Sequence, residues 1–364
     1  MGTRKILHVV GARPNYMKVA PLVDALRSAP EFRQVLLNTG QHYDEAMAGV
    51  FLKELSLPAP DRNLAVGSGS HAVQTAKIMI GFEEVCLEEK PDLVVVVGDV
   101  NSTVAAAFVA AKLCIPCAHV EAGLRSFDRT MPEEINRLVT DQLAEILLTP
   151  SPDADDNLRR EGIPPERIHF VGNVMVDTLM RYRPLAGFER VAGRFEIRER
   201  GYAVLTLHRP SNVDDRATFV AIAAALQTIG ETMPVVFPVH PRTRARIEAF
   251  ELGRMLDRVM MTEPLGYLDF LSLMAHAAVV LTDSGGMQEE TTVLGIPCLT
   301  LRENTERPIT LTEGTNRLVG TDTDAIIDGF RRALSQPPQG RIPRLWDGQA
   351  SARISEVFRK FLFP

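Results

Sequence analysis

Short apolar runs alternate with amphipathic stretches along most of this chain of 364 residues. Runs rich in Val, Ile and Leu predict strands, and stretches with apolar residues at helical spacing predict helices. The predicted strands lie at residues 5–11, 34–39, 93–97, 117–120, 146–149, 168–171, 203–207, 235–239, 259–261, 279–281 and 297–301. The predicted helices lie at residues 14–30, 72–88, 101–113, 135–144, 151–161, 217–229, 243–250, 267–276 and 323–334.

This alternation occurs twice, which predicts an α/β fold with two Rossmann-like, doubly wound parallel-sheet domains. After the Pro-rich segment 336–343, a final amphipathic helix is expected to return to the first domain. Its apolar stripe consists of Ala350, Ile354, Val357, Phe358, Phe361 and Leu362. We therefore expect an N-terminal domain of residues 1–171 plus 349–364 and a C-terminal domain of residues 172–348. Open parallel sheets bind ligands beyond the carboxyl ends of their strands, so the domains should face each other across a cleft.

The stretch 279–290 predicts a strand, a turn of small residues and the start of a helix. Ser284 is placed to cap that helix, and Gly285 and Gly286 let the backbone approach a ligand closely. Backbone N–H groups at a helix N-terminus favour an anion, so a phosphate or diphosphate is the expected guest. Glu290 offers a carboxylate to a ribose. An ordinary Gly-rich turn between strand and helix is the alternative interpretation.

Composition narrows the class of protein. The chain is 45% hydrophobic and 24% charged, with a net charge of −6, which argues against nucleic acid or an anionic membrane as its partner. No apolar run approaches the roughly 18 residues of a membrane span, and the first apolar run does not resemble a signal peptide. Cys86, Cys114, Cys117 and Cys298 lack metal-ligand spacing. We expect a cytoplasmic protein without a metal site.

A second Gly-rich segment at residues 67–72 matches the dinucleotide pattern G-x-G-x-x-A. The residues before it include two prolines and make a poor strand, so the required strand-turn-helix context is missing. We interpret this segment as a flexible loop.

Polar side chains cluster where the predicted strands end. The second domain offers phosphate ligands, namely His208, His240, the turn at 284–286 and Arg307. The first domain offers Arg13 and Lys18 beside the carboxylates of Asp99, Glu121, Glu133 and Glu134. A cleft of this kind would hold a charged diphosphate on one side and present acids and bases from the other. A nucleotide sugar fits this arrangement.

Each of these residues also has a structural explanation. Asp99 could cap the next helix, and Glu133 and Glu134 suit the first turn of a helix that follows a proline. Lys18 and Arg137 could be solvated, and His119 could be a core histidine bound to backbone. His208 and His240 could be turn residues. Their joint occurrence at matching strand ends favours an active site.

Several motifs occur in a family order: 11–14 with Lys18, 39–42, 98–99, 119–125, 132–137, 283–290, 305–308 and 314–320. Over essentially its whole length the chain resembles the non-hydrolysing UDP-N-acetylglucosamine 2-epimerases. The resemblance implies a GT-B fold, usually a homodimer, that interconverts UDP-GlcNAc and UDP-ManNAc without a metal or nicotinamide. In bacteria the ManNAc derivatives usually serve cell-envelope polysaccharides.

Site residues are carried over by their positions in the motifs. The resemblance implies that Asp99, Glu121 and Glu133 are the catalytic carboxylates, with Lys18, Arg137 and His208 near them. It implies that Arg13, the turn at Ser284, Gly285 and Gly286, and Arg307 bind the diphosphate, and that Glu290 binds the ribose. We expect UDP to leave C1 first, because the C2 hydrogen is barely acidic before that step. Inversion at C2 then requires acid/base groups on both sides of the sugar ring.

The chain departs from the commonest family pattern at Asn15, at Pro210 and at residues 43–47. Many relatives have Glu where Asn15 stands, and the last region contributes to an allosteric site in some members. The sugar substituents and allosteric activation are therefore open. The alternatives are a 2-epimerase of a modified UDP-sugar such as a diacetamido uronate, a GT-B glycosyltransferase, a non-catalytic sensor, and a variant that hydrolyses its substrate to free ManNAc.

Overall fold

The computed structural model describes residues 2–41 and 54–364. His42 and the departure at residues 43–47 lie outside the described residues. The chain forms two compact units: unit 1 contains residues 1–180 and 344–364, and unit 2 contains residues 181–343. The chain therefore leaves unit 1 and later re-enters it.

Unit 1 is built around a seven-stranded sheet whose strands are all parallel. The strands are β1 (Arg4–Val10), β2 (Phe32–Asn38), β3 (Arg62–Asn63), β4 (Leu93–Val97), β5 (Cys117–Val120), β6 (Ile146–Thr149) and β7 (Ile168–Phe170). Their order is β3-β2-β1-β4-β5-β6-β7. Every residue of β4 is buried, as expected for a central strand covered on both faces. The order reverses between β1 and β4, and such a switch point is where open α/β sheets bind ligands.

The longer helices of unit 1 alternate with these strands, and the last one follows β7. They are α1 (Arg13–Arg27), α2 (His71–Glu89), α3 (Asn101–Lys112), α4 (Pro132–Leu143), α5 (Pro152–Arg160) and α6 (Val174–Tyr182), the last of which crosses into unit 2. The segment 64–70 between β3 and α2 contains no helix or strand. The Gly-rich pattern of residues 67–72 thus does not follow a dinucleotide-type strand.

Unit 2 has a six-stranded parallel sheet in the order β10-β9-β8-β11-β12-β13. Its strands are β8 (Ala203–Thr206), β9 (Val235–Pro238), β10 (Val259–Thr262), β11 (Val279–Thr282), β12 (Cys298–Thr300) and β13 (Asn316–Leu318). Its helices are α7 (Glu189–Phe195), α8 (Pro210–Val213), α9 (Arg216–Thr232), α10 (Pro241–Ala249), α11 (Tyr267–Ala275), α12 (Gly285–Leu294), α13 (Ile309–Thr312) and α14 (Thr323–Ser335). Here the switch point lies between β8 and β11.

The final helix, α15 (Ala350–Leu362), belongs to unit 1 and packs against α1. The carboxylate of Asp177 accepts hydrogen bonds from the backbone N–H groups of Ala350 (3.0 Å) and Ser351 (2.7 Å) at its start. Just before the helix, buried Trp346 donates its indole N–H to the Pro150 carbonyl oxygen at 2.9 Å. Most of the predicted stripe is buried, but Phe361 is exposed.

All predicted strands are present, and the predicted α/β fold with two parallel sheets is confirmed. The short polar strands β3 and β13 were not predicted, because their sequences carry no apolar run. Within residues 2–41 and 54–364, no helix is long and apolar enough to cross a membrane.

Candidate active site

In unit 1, Asn15 organises the turn between β1 and α1 at the switch point. Its side-chain oxygen accepts hydrogen bonds from the N–H groups of Gly11 (3.1 Å) and Ala12 (3.0 Å). Its side-chain nitrogen donates to the Val97 carbonyl oxygen at 3.0 Å. An ionised glutamate has no proton to donate to that carbonyl. The departure at this position therefore adds a direct tie between the first turn and the end of β4.

Lys18 and Glu121 form a buried ion pair. Glu121 directly follows β5 and has a backbone φ of +74°, a region that costs a non-glycine residue about 1–3 kcal/mol. Gly98, which follows β4 with a φ of +67°, lies against this pair: a Cβ there would sit 3.2 Å from the Lys18 Nζ. The structure thus brings together two of the predicted catalytic residues.

Asp99 is held by α4. The Arg137 Nη1 lies 2.5 Å from an oxygen of its carboxylate, and the side-chain nitrogen of Asn136 donates to its backbone oxygen at 2.8 Å. The Asp99 side chain remains 26% exposed, whereas Arg137 is buried. Glu133 lies one helical turn before Asn136 and Arg137, on the same face of α4, and is half-buried. Asp99 therefore has a fixed cation on one side and a surface open to a ligand.

Glu134, the neighbour of Glu133, has a structural role. Its carboxylate accepts hydrogen bonds from Ser126 N (2.9 Å), Ser126 Oγ (3.0 Å) and Phe127 N (3.0 Å), and it also binds Arg137 at 2.8 Å. Burial acts to raise the pKa of Glu134, but the Ser126 hydrogen bonds and the Arg137 charge outweigh it, and the pKa is lowered. The two adjacent glutamates thus have different surroundings, which their sequence alone does not distinguish.

A buried charged network lies behind these groups. His119 contacts the Gly98 carbonyl oxygen through Nε2 (2.8 Å) and Asp141 through Nδ1 (2.6 Å). Asp141 also binds Arg125 (2.7 Å), which in turn pairs with Glu161 (2.7 Å). Burial alone would raise the pKa of Asp141, but the charges and hydrogen bonds of His119 and Arg125 lower it. The interpretation of His119 as a core histidine bound to backbone agrees with its contact to Gly98. It did not include the contact with Asp141.

In unit 2, Asp283 and His208 meet at the switch point. Asp283 follows β11 and is fully buried, and one of its oxygens lies 2.8 Å from the His208 Nδ1. Its carboxylate also accepts the backbone N–H groups of His208 (3.0 Å) and Arg209 (2.9 Å). The His208 side chain is 50% exposed. Sequence reasoning gave no role to Asp283.

The predicted phosphate turn follows Asp283 directly. Ser284 occupies the N-cap position of α12, but its side chain makes no capping hydrogen bond, so the predicted cap is wrong. Its backbone N–H instead donates to the Thr282 hydroxyl at 2.9 Å. Gly285 begins the helix, and Gly286 is half-buried. The turn thus leads into a helix N-terminus, the kind of backbone that suits an anion, without using the Ser284 side chain as a cap.

Arg307 lies against this turn and is paired with two buried carboxylates. Its guanidinium contacts Glu306, and its Nε lies 2.9 Å from a Glu289 oxygen. An added Cβ on Gly285 would lie 2.2 Å from the Arg307 Nη1, which no real structure accommodates. Gly285 is therefore required for the close approach of Arg307. Sequence reasoning missed Glu289 and Glu306 as partners of Arg307. The signal that could have revealed them is that each is an acid in a mostly buried segment.

The remaining predicted ligands lie at different depths. Glu290 is buried in α12 and accepts a hydrogen bond from the Tyr267 hydroxyl at 3.3 Å. Burial and this carboxylate raise the pKa of Tyr267 well above its usual value. His240 is exposed and caps α10, with its Nδ1 accepting the Arg242 N–H at 3.3 Å. Arg13 begins α1.

Comparison with solved structures defines the class. The crystal structure of the Methanocaldococcus jannaschii UDP-GlcNAc 2-epimerase in complex with UDP-GlcNAc and UDP matches this fold with a TM-score of 0.92 at 42% identity. The match covers 98% of this chain and 99% of that one. The protein is an enzyme of the isomerase class with the GT-B fold.

Sequence comparisons give the family. The profile of the family described as UDP-N-acetylglucosamine 2-epimerase matches residues 24–359. The M. jannaschii UDP-N-acetylglucosamine 2-epimerase is 42% identical over 361 residues, covering 97% of this chain and 98% of that protein. The UDP-2,3-diacetamido-2,3-dideoxy-D-glucuronate 2-epimerase of Pseudomonas aeruginosa is 40% identical over 360 residues, covering 98% and 99%. The chain belongs to the UDP-N-acetylglucosamine 2-epimerase family, and the resemblance inferred from its motifs is confirmed.

Proposed function

We propose that this protein interconverts UDP-GlcNAc and UDP-ManNAc by elimination and readdition of UDP. The observation that carries the proposal is the pairing of Lys18 with Glu121 and of Arg137 with Asp99 at the carboxyl ends of adjacent strands. Paired acids and fixed cations at the ends of β5 and β4 suit proton transfer beside a leaving anion. Relatives named UDP-N-acetylglucosamine 2-epimerase support this choice of substrate.

The order of bond breaking follows from acidity. The C2 hydrogen is not next to a carbonyl, so the C1–O bond breaks first and its electron pair leaves with the phosphate oxygen of UDP. C1 becomes electron-poor, the C2 hydrogen becomes acidic, and its loss to a base gives 2-acetamidoglucal. Readdition of UDP to C1, with a proton delivered to the other face of C2, gives the epimer. The substrate and product have the same oxidation level, so the reaction requires no external oxidant or reductant.

The proposed roles divide between the two units. Asp99, Glu121 and Glu133 share the removal and return of the C2 proton, with Lys18 and Arg137 setting their charge. The diphosphate is bound by backbone N–H groups and cations, each typically worth about 3 kcal/mol of barrier. The groups proposed for the diphosphate are Arg13, His208, His240, the turn Ser284–Gly285–Gly286 and Arg307, and the proposed ribose ligand is Glu290.

The test uses UDP-GlcNAc in D2O followed by proton NMR, with no acceptor, metal or nicotinamide added. UDP-ManNAc carrying deuterium at C2 is the expected product. Free ManNAc would indicate a hydrolysing enzyme. An unchanged substrate would contradict the proposed substrate, and addition of acceptor sugars would then test the transferase alternative.

A second substrate has specific support. The P. aeruginosa relative named for a diacetamido glucuronate is nearly as similar as the named UDP-N-acetylglucosamine 2-epimerases, at 40% against 42% identity. The same NMR experiment with that UDP-sugar separates the two. Faster C2 exchange on the diacetamido uronate than on UDP-GlcNAc would reassign the substrate.

We also propose that the protein is a homodimer that associates through α2, α3 and α4. On α2, Val73, Ile80 and Leu87 recur every seven residues on one face and are 49%, 65% and 60% exposed. Phe108 on α3 and Ile135 and Val139 on α4 extend this apolar surface, and α3 packs against both neighbours. Exposed apolar side chains on neighbouring helices favour a protein partner, and a second copy is the proposed one.

Light scattering tests the dimer. Ile80→Glu should give the mass of one chain. Leu334→Glu, on α14 of unit 2, is a matched exposed apolar control and should keep the mass of two. A wild-type protein with the mass of one chain would contradict the proposal.

The setting of the reaction is part of the same proposal. Among the four cysteines, Cys86, Cys117 and Cys298 are buried free thiols, which suits a reducing cytoplasm. UDP-ManNAc made there would supply cell-envelope polysaccharides. Loss of ManNAc-containing polymer in a deletion strain, restored by the wild-type chain and not by Asp99→Asn, is the expected result.

A further inference from the structure

Asp283 contacts both the backbone and the imidazole ring of His208. Besides the backbone N–H groups of His208 and Arg209, its carboxylate accepts the Asn212 side-chain N–H at 3.3 Å and lies 2.8 Å from the His208 Nδ1. The carboxylate is fully buried, whereas half of the imidazole is exposed. One end of the imidazole is therefore fixed inside unit 2, and the other end reaches its surface.

This contact decides which ring nitrogen carries a proton toward the interior. A carboxylate only accepts hydrogen bonds, so Nδ1 must be the donor, and Nε2 is the nitrogen that a ligand can meet. Burial alone would raise the pKa of Asp283, but His208 and the backbone N–H donors lower it, so the carboxylate is ionised at neutral pH. Its negative charge faces the Nδ1–H and holds the ring in this orientation.

The location indicates which part of the substrate His208 serves. Asp283 directly precedes Ser284, the first residue of the proposed phosphate turn. The residue that holds the imidazole is therefore also the residue from which the turn begins. The residue after His208 in the chain is Arg209, whose side chain lies 3.8 Å from that of Glu306. The other proposed acid/base groups, Asp99, Glu121 and Glu133, all belong to unit 1.

We infer that Asp283 is a positioning residue that holds His208 with Nδ1–H directed inward, so that Nε2 acts on the diphosphate leaving group. The inference rests on the proposed function and deepens it. When the C1–O bond breaks, its electron pair stays on the phosphate oxygen, and protonated Nε2 gives that oxygen a hydrogen bond or its proton. On readdition the oxygen attacks C1 and the proton returns to Nε2.

A purely structural role for Asp283 makes a different prediction. In Asp283→Asn the amide oxygen still accepts the backbone N–H groups of the 208–209 turn, but the charge is lost and the amide nitrogen can donate to Nδ1. The ring would then favour the tautomer with its proton on Nε2. If Asp283 only stabilises the turn, catalysis should survive this change. If Asp283 positions the ring, catalysis should be lost.

The experiment combines a tautomer measurement with kinetics. Nitrogen-15 NMR of the histidine rings should show His208 with its proton on Nδ1 in the wild type and on Nε2 in Asp283→Asn. kcat should fall by at least about 100-fold, because a triad aspartate changed to asparagine costs about 10⁴-fold for the same reason. UDP affinity should change less than about threefold. The ionisation that disappears from the pH dependence of kcat in His208→Asn should also be missing in Asp283→Asn.

Two further variants separate positioning from folding. His208→Asn combined with Asp283→Asn should be no slower than His208→Asn alone, because Asp283 acts only through the ring. Asp177→Asn, a buried carboxylate that caps α15, should change stability and leave kcat unchanged. An unchanged tautomer, or full additivity of the two substitutions, would overturn the inference. If the wild type does not epimerise UDP-GlcNAc, the proposed function fails, while the tautomer measurement still decides the role of Asp283.

Discussion

The Nε2 of His119 donates a hydrogen bond of 2.8 Å to the carbonyl oxygen of Gly98. Gly98 precedes Asp99, and His119 lies two residues before Glu121, so one side chain links the backbones that carry two proposed catalytic carboxylates. Its other nitrogen is bound to Asp141, which is tied to Arg125. A buried network thus ties together the backbone segments that carry the two carboxylates.

Replacing His119 by Phe should disturb both stability and catalysis. The change leaves Asp141 without its histidine partner, and a buried polar group that loses its partner costs about 1–3 kcal/mol. kcat should fall, whereas the affinity for UDP should be unchanged because most of the proposed UDP-binding groups belong to unit 2. Denaturant unfolding and calorimetric UDP titration measure the two effects. As a control, His8→Phe removes another buried histidine, bound to Gln34 at 3.0 Å, and should lower only stability. Equal kcat values for the two variants would contradict the role of His119.

Asp99→Asn should abolish turnover with UDP still bound. The amide keeps the size of the side chain but cannot take a proton from C2. Deuterium incorporation from D2O measures the loss directly. Asp92 precedes the other end of β4, where it pairs with Arg4 at 2.9 Å, so Asp92→Asn is the matched control and should exchange deuterium normally. Near-normal exchange by Asp99→Asn would remove it from the mechanism.

Gly285→Ala should weaken UDP binding strongly. The new methyl group would lie 2.2 Å from the Arg307 Nη1 and 2.6 Å from a Glu306 oxygen, so the guanidinium must move away from the turn. A titration with UDP measures the change in affinity. At Gly193, inside α7, an added Cβ would meet no described atom within 4 Å outside its own helix, so Gly193→Ala should bind UDP normally. That control should also gain up to about 1 kcal/mol of stability. Unchanged UDP affinity in Gly285→Ala would show that Arg307 does not hold the diphosphate.

The free energy of unfolding should fall in acid partly because of Asp141. Its pKa is lowered in the folded state, so its stabilising contribution is present above the unfolded pKa of about 3.9 and is lost as the pH falls toward the folded pKa. The stability difference between the wild type and Asp141→Asn should therefore be largest near neutral pH and shrink below about pH 4. Urea unfolding between pH 7 and pH 3 gives the difference. Glu263→Gln, which removes an exposed ion pair with Arg244, should change stability by less than about 1 kcal/mol throughout. A constant difference for Asp141→Asn would contradict the pKa argument.

The sequence predicted the elements whose residues are apolar and continuous. Residues 93–97 could hardly be anything but a buried parallel strand, and the structure has that strand with the same bounds. The strand Asn316–Leu318 could not be found in this way, since its place in the sheet comes from pairing with β12. Phe361 fitted the helical stripe but is exposed, because periodicity alone does not fix how far a face is covered.

Predictions for the site were limited by partners distant in sequence. Asp99 and Glu121 were recognisable because they follow strands, but their partners Arg137 and Lys18 lie 38 and 103 residues away. Ser284 was predicted to cap a helix because serine is a preferred N-cap residue. The structure instead has its backbone N–H bound to the hydroxyl of Thr282, the last residue of β11. Asp283 carried no signal beyond its motif, since its role depends on a histidine 75 residues earlier.

The two crossings of the chain, at residues 180–181 and 343–344, set an order for folding during synthesis. Unit 2 is complete once residue 343 has left the ribosome, whereas unit 1, begun first, still lacks α15 and buried Trp346. The surface of α1 that α15 covers is therefore exposed until translation has passed unit 2. A nascent chain of this protein should finish its second half before its first.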